Sequence, residues 1–211
     1  MKSILCFGDS NTYGLKPDGS GRYDENTRWT GVLSSMLAPY DYRIYEEGLV
    51  GRTTVFEDAT RIGRNGSKLL PVLLETHSPI DTVILMLGTN DCKTVNKASP
   101  KVITRGLEVL VKQIKSFNPL TKIVLVSPIL LGEKVYQENY DPEFNEQSIH
   151  TSKELKAYFR RLAEEYDCQF LAASDVAKPS EIDQEHMDEN SHKKLANHIF
   201  NNLQGSLFQA G

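Results

Sequence analysis

The chain has 211 residues, 39% hydrophobic and 25% charged, with a formal net charge of −4. That balance suits one globular domain over residues 1–211, and without a dense run of Lys or Arg it excludes a nucleic-acid footprint. No apolar leader follows Met1-Lys2-Ser3 and no run of ~18 apolar residues occurs, so neither a signal peptide nor a membrane span is expected. Cys6, Cys92 and Cys168 form an odd set with no CxxC pair. Cys6 and Cys168 fall in predicted strands, where a thiol packs as a small apolar group. A cytoplasmic location is the expectation.

Strand and helix patterns alternate five times along the chain. Ile4-Leu5-Cys6-Phe7 is too short an apolar run for a helix and fits a buried strand. A polar loop, Leu15 to Thr27, follows, then a helix over Arg28 to Leu37 that ends at Pro39. Tyr42 to Tyr45 is the second strand, and Gly48 and Gly51 mark the loop after it. A helix is predicted from Ser67 to Thr76. Thr82 to Leu87 is uninterruptedly apolar after its first residue, as in a strand buried on both faces. Ser99-Pro100 pairs an N-cap with Pro at the first helical position, and apolar residues run at helical spacing to Ile114. Ile123 to Val126 is the fourth strand. Leu130 to Ile149 reads as a long irregular loop, of the kind that is functional or mobile. Thr151 and Glu154 form a capping box for the next helix. Gln169 to Leu171 is the fifth strand, and Asn190 to Leu203 the last helix. Strands joined by crossover helices imply a parallel sheet between two helical layers.

In such a sheet the loops after the strands carry the chemistry. Ser10 follows the first strand, Gly51 the second, Asn90 the third, and Asp183 and His186 the fifth. A serine hydroxyl needs a base within hydrogen-bond reach, and His is the side chain whose pKa lies near neutrality. An acid must hold that His in its working tautomer, and Asp183 stands three residues before His186. The oxyanion of a tetrahedral intermediate needs preformed donors, which the Ser10 and Gly51 N–H groups and the Asn90 amide can supply. Asn11, Tyr13, Trp29, Val50 and the loop from Leu130 to Phe144 are candidate substrate-binding wall residues. Asp9 and Asp91 read as structural acceptors, Arg52 as a structural cation. His192, with Asp188 four residues earlier, is a rival base. No metal-ligand spacing links His77, His150 and His198, so no metal or other cofactor is expected.

Four blocks in this order carry a family resemblance. Phe7-Gly8-Asp9-Ser10-Asn11-Thr12, Glu47-Gly48-Leu49-Val50-Gly51-Arg52-Thr53, Leu87-Gly88-Thr89-Asn90-Asp91 and Asp183 to His186 resemble the nucleophile, glycine, asparagine and acid–histidine blocks of the SGNH hydrolases. These are a branch of the GDSL esterases and lipases. The small arylesterase and acyltransferase branch is the most similar. The resemblance covers nearly the whole chain. It implies a three-layer α/β/α sandwich with a five-stranded, flavodoxin-like parallel sheet. It also implies a metal-free acyl-serine mechanism with Ser10, Gly51, Asn90, Asp183 and His186 in the roles above. Asn11 stands where the family has Leu, and is expected to alter the pocket wall. Gln184 stands where the acid–histidine block usually has Gly, which bears on the Asp183–His186 turn. There is no Gly-x-Ser-x-Gly elbow and no GxGxxG.

The expected function is hydrolysis of small aryl or acetyl esters, with acyl transfer when an alcohol replaces water. The partner is then a small-molecule ester. Two rival readings are a carbohydrate O-deacetylase and a binding module without turnover, because a fold does not by itself specify a function. Leu207, Phe208 and the long loop are candidate contacts of a homo-oligomer.

Overall fold

A computed structural model describes residues 1–207, with side chains through Leu203. Phe208 and the Leu207 side chain, named above as candidate subunit contacts, lie outside the described residues. Five strands, β1 (Lys2–Gly8), β2 (Tyr42–Gly48), β3 (Thr82–Met86), β4 (Lys122–Ser127) and β5 (Gln169–Ala172), form one sheet in the order β2-β1-β3-β4-β5. All four pairings are parallel. The helices are α1 (Ser10–Tyr13), α2 (Trp29–Leu37), α3 (Gly66–Thr76), α4 (Pro100–Phe117), α5 (Glu146–Glu165) and α6 (Glu189–Leu207).

The period-two alternation of strand side chains divides the core in two. Leu5, Phe7, Val83, Leu85, Ile123 and Leu125 point to one face and pack under α3, α4 and α5. Ile4, Cys6, Ile84, Met86, Val124 and Val126 point to the other and pack under α2 and α6. Both faces are covered, which is why these strands read as continuous apolar runs. The result is the α/β/α sandwich anticipated above. At the sheet's carboxyl edge, β1 and β3 are neighbours whose crossover connections leave on opposite faces, and a crevice opens there.

Local chemistry accounts for features of two helices. Pro71 lies inside α3 and cannot donate to the Ser67 carbonyl one turn back. Gln113 Nε2 on α4 donates to that carbonyl instead, at 2.8 Å. Helix α5 begins five residues before the predicted Thr151. Asn145 Oδ1 accepts from the Ser148 N–H at 2.9 Å, and Ser148 Oγ accepts from the Asn145 N–H at 3.2 Å. This reciprocal cap is reinforced by Phe144 and Ile149, buried in one core cluster at the positions of a hydrophobic staple. The Thr151–Glu154 pair therefore lies inside the helix, and the irregular segment ends at Asn145. Cys168 lies one residue ahead of β5 rather than within it.

Candidate active site

Strand β1 delivers Ser10 to the crevice through a tight turn at Gly8. A Cβ on Gly8 would lie 2.0 Å from Thr12 Oγ1 and 2.7 Å from the Met86 carbonyl oxygen, so no larger residue fits. Asp9 caps α1, its Oδ1 accepting from the Asn11 N–H at 3.0 Å. Ser10 is the first residue of that helix and is 1% exposed.

Across the crevice, the loop between β5 and α6 carries Asp183 and His186. Asp183 Oδ1 accepts from the Glu185 and His186 N–H groups at 3.0 and 2.9 Å, which closes a turn around the carboxylate. Its other oxygen lies 2.6 Å from His186 Nδ1, and His186 Nε2 lies 2.8 Å from Ser10 Oγ. An ionised carboxylate only accepts, so Nδ1 carries the proton and Nε2 accepts from the Ser10 hydroxyl. Gln184 takes φ = 63°, the left-handed conformation that explains why a Gly is usual there. Its side-chain amide donates to Glu181 Oε2 at 3.0 Å, and its carbonyl accepts from the Gly132 N–H at 2.7 Å. The turn thus forms with Gln in place, and the Asp183–His186 bond is intact.

Burial pulls the His186 imidazole down, but the Asp183 bond and the charges of Glu185, Asp183 and Asp9 outweigh it, and the net direction is upward. Glu185 is a buried carboxyl with Oε2 4.0 Å from His186 Nδ1. Burial pushes it up to about 7, with Asp141 and Asp183 adding to the rise and His186 and Lys93 opposing it. Nothing in the sequence distinguished Glu185 from a spacer between Asp183 and His186. Asp9, also buried, is pushed up to about 6, against the Asn11 N–H and the His186 and Arg52 charges.

The glycine and asparagine blocks meet on the other side of Ser10. Buried Arg52 donates through Nη1 to the Gly8 carbonyl at 2.9 Å and to the Glu47 carbonyl, and its guanidinium lies 4.1 Å from the Phe7 ring centroid. It ties the ends of β1 and β2 together, at the start of the turns that carry Ser10 and Gly51. Asp91 accepts from the Thr54 N–H and hydroxyl, joining the asparagine block to the glycine block. Burial pushes Asp91 up to about 7, with the Thr54 bonds opposing. Asn90 is buried, its Nδ2 donating to the Arg52 carbonyl at 3.1 Å. Among the described residues, neither the Ser10 nor the Gly51 N–H has a backbone acceptor. Gly51 takes φ = 82°, and a Cβ there would lie 2.6 Å from Arg61 Nη2. Arg61, which the sequence did not single out, therefore lies over Gly51, with its Nε on Asp58 at 2.8 Å.

Two clefts flank this arrangement. One, of about 400 Å³, is lined by Leu15, Lys16, Tyr140, Asp141, Glu185 and His186 among others. The other, of about 230 Å³, is lined by Gly51, Asn90, Arg61, Lys93 and Glu143 among others. The segment from Leu130 to Phe144 thus reaches both, as its composition suggested. A larger cleft of about 460 Å³ lies at the opposite, amino edge of β3 and β4. The predicted wall residues fare differently. Trp29, the first residue of α2, is 0% exposed and packs its large apolar ring in the core beneath the sheet. Asn11 is buried and bonded to the acid–histidine loop rather than facing a cleft. Tyr13 is half-buried under the Arg22 guanidinium, and Val50 is half-buried with its carbonyl on Arg64 Nε.

His192 does not reach Ser10's surroundings. Its Nδ1 accepts from the Trp29 N–H at 3.3 Å, and the Asp188 side chain caps α6 by accepting from the Ser191 N–H at 2.7 Å. Cys92 is buried, which pushes its thiol up and leaves it a packing group. His77 packs on Tyr45 and bonds Glu47, and His150 is exposed. Among the described residues, no three His, Cys, Asp or Glu side chains cluster to hold a metal ion, and no helix is long and apolar enough to cross a membrane.

A bonded Ser–His–Asp chain at the carboxyl edge of a 2-1-3-4-5 sheet, with Gly and Asn blocks beside the Ser, is specific enough to compare with known proteins. The profile of the GDSL-like lipase/acylhydrolase family matches residues 6–195. The chain belongs to that family. Two solved structures of the SGNH fold are similar over nearly their whole length. A carbohydrate acetylesterase family member from Sinorhizobium meliloti is 33% identical with a TM-score of 0.91, covering 99% of this chain and 100% of that one. The inhibitor-bound aryl esterase of M. smegmatis is 33% identical with a TM-score of 0.91, covering 98% and 100%. No curated protein matches the sequence. This GDSL-like acylhydrolase is an ester-hydrolysing enzyme, and the esterase neighbours point to small-molecule esters.

Proposed function

We propose that the chain hydrolyses small carboxylic esters, aryl or acetyl, through an acyl-serine intermediate. The observation that carries this reading is the pair of hydrogen bonds running from Ser10 Oγ through His186 to Asp183. Ser10 Oγ attacks the ester carbonyl carbon while His186 Nε2 takes the hydroxyl proton, and Asp183 stabilises the imidazolium that forms. The Ser10 and Gly51 N–H groups and the Asn90 amide hold the oxyanion. As the intermediate collapses, His186 returns the proton to the departing alcohol. Water, deprotonated by the same nitrogen, then attacks the acyl carbon and frees Ser10. An alcohol in place of water turns hydrolysis into acyl transfer with the same proton movements.

A second reading, deacetylation of acetylated sugars, is supported by one feature. The cleft beside His186 carries Tyr140 with Lys16, Asp141 and Glu185, groups suited to a hydroxyl-rich leaving group. Comparing kcat/KM on phenyl acetate and on an acetylated oligosaccharide separates the two.

The deciding experiment is labelling by a fluorophosphonate with the modified peptide read by mass spectrometry. A label on Ser10, lost in Ser10→Ala together with turnover of phenyl acetate, is the expected result. Full activity in folded Ser10→Ala sinks the proposal.

A further inference from the structure

Asn11 spends both ends of its carboxamide on the acid–histidine loop. Its Oδ1 accepts from the Met187 N–H at 2.9 Å, and its Nδ2 donates to the Glu185 carbonyl at 3.3 Å. Those two backbone groups lie immediately before and after His186. We infer that Asn11 is a positioning residue: its carboxamide holds the loop on α1 so that His186 Nε2 stays within reach of Ser10 Oγ.

The other polar supports of this loop are local to it or to its neighbour. The Ser180 N–H bonds the His186 carbonyl at 2.7 Å, and the Gln184 N–H bonds the Ser180 carbonyl at 2.9 Å. Asp183 bonds the N–H groups of Glu185 and His186. Gly132 bonds Gln184. These contacts preserve the loop's internal shape. None of them sets its distance from the helix that carries Ser10. Asn11 spans that gap, linking segments more than 170 residues apart. The Met187 side chain, buried in the core, gives the loop a second, apolar anchor.

The residue type follows from the geometry. An amide presents one acceptor and one donor from a single planar group, which matches an N–H and a carbonyl two residues apart. Leu, the residue expected here from the family resemblance, would leave both backbone groups without partners in a buried place. It would also leave the Ser10–His186 register to apolar packing alone. A misplacement of this kind costs activity because the hydroxyl and the base react only within a narrow range of separation.

The inference rests on the serine reading of the site, so its test also has readouts that need no turnover. Asn11→Leu and Asn11→Ala are compared with wild type in the full chain. With phenyl acetate, kcat is expected to fall about tenfold or more with KM within about twofold, since substrate contacts are untouched. The His186 ring titration, followed by NMR, is expected to move to lower pH in both variants, because a loosened loop weakens the Asp183 bond that raises it. The acid limb of kcat/KM moves with it. In wild type the Met187 amide is expected to exchange slowly with deuterium. Folded variants with unchanged kcat and an unchanged His186 titration overturn the inference. So does a raised KM at constant kcat, which would make Asn11 a wall residue after all. If neither variant folds, exchange of the wild-type Met187 amide at the rate of an exposed amide overturns it, and protected exchange supports it. If wild type does not turn over phenyl acetate, the esterase reading fails, while the His186 titration and Met187 exchange still decide the role of Asn11.

Discussion

His186 and His192 are six residues apart, both buried, and opposite in character. His186 sits between two polar partners, Asp183 on Nδ1 and Ser10 on Nε2. His192, 0% exposed, accepts one backbone N–H from Trp29 and meets Tyr23 edge-on, with ring centroids 5.2 Å apart. Burial acts on both rings in the same direction. In His192 it prevails over the Asp188 charge and pushes the pKa down to about 4. In His186 the nearby carboxylates reverse it. A buried imidazole thus keeps or loses its affinity for a proton according to whether a carboxylate faces Nδ1. Sequence spacing alone placed an acid near each: Asp183 three residues before His186, Asp188 four before His192. Only the first acid turns its side chain to its histidine.

The sharpest break of this comparison is a pair of substitutions read by activity. His186→Ala is expected to lower kcat/KM on phenyl acetate by about 10³-fold or more, the scale for losing a base of this kind. His192→Phe is expected to stay within about threefold of wild type, since it touches none of the reacting groups. Equal losses would mean the two rings are not functionally distinct.

The next effect is on stability. An unfolded histidine titrates near 6.5, whereas folded His192 refuses the proton down to about 4. The unfolded state therefore binds more protons between those values, and His192 costs stability as pH falls through that window, about 3 kcal/mol in full. His192→Phe lacks this penalty but orphans the Trp29 N–H, a loss of about 1–3 kcal/mol at pH 7. Urea unfolding at pH 7 and pH 4 is expected to show the variant less stable at pH 7, with the gap closing or reversing at pH 4. A gap independent of pH would remove His192 as the titrating group.

The smallest effect sharpens the account of His186. Its raised pKa puts the acid limb of kcat/KM above the ordinary histidine value, because the base works only when neutral. Glu185→Gln removes one of the charges that raise it, so the limb is expected to move to lower pH. No shift would mean that Glu185 is uncharged wherever His186 titrates.

Much of this molecule was legible in the chain. The uninterrupted apolar runs in β1, β3 and β4 marked strands buried on both faces, and the order of the loops after them put Ser10, Gly51, Asn90, Asp183 and His186 at one sheet edge. Helix α5 was misjudged at its start, since Thr151 and Glu154 have the spacing of a capping box while the cap that forms is Asn145 with Ser148. The choice depended on whether Phe144 and Ile149 found a common core. Trp29 was read as a wall because an aromatic residue near a site fits either role until its surroundings are known.

Periodicity and spacing are properties of the chain, so the layers, the parallel sheet and the set of polar residues at its carboxyl edge could be read from the residues alone. Orientation across long sequence separations is a property of packing. It took the folded chain to show that Asp183 faces its histidine while Asp188 caps a helix, that Arg61 lies over Gly51, and that Asn11 grips the far loop. The Asn11 contact joins segments more than 170 residues apart, and the others turn on which buried polar groups find partners once the loops are packed.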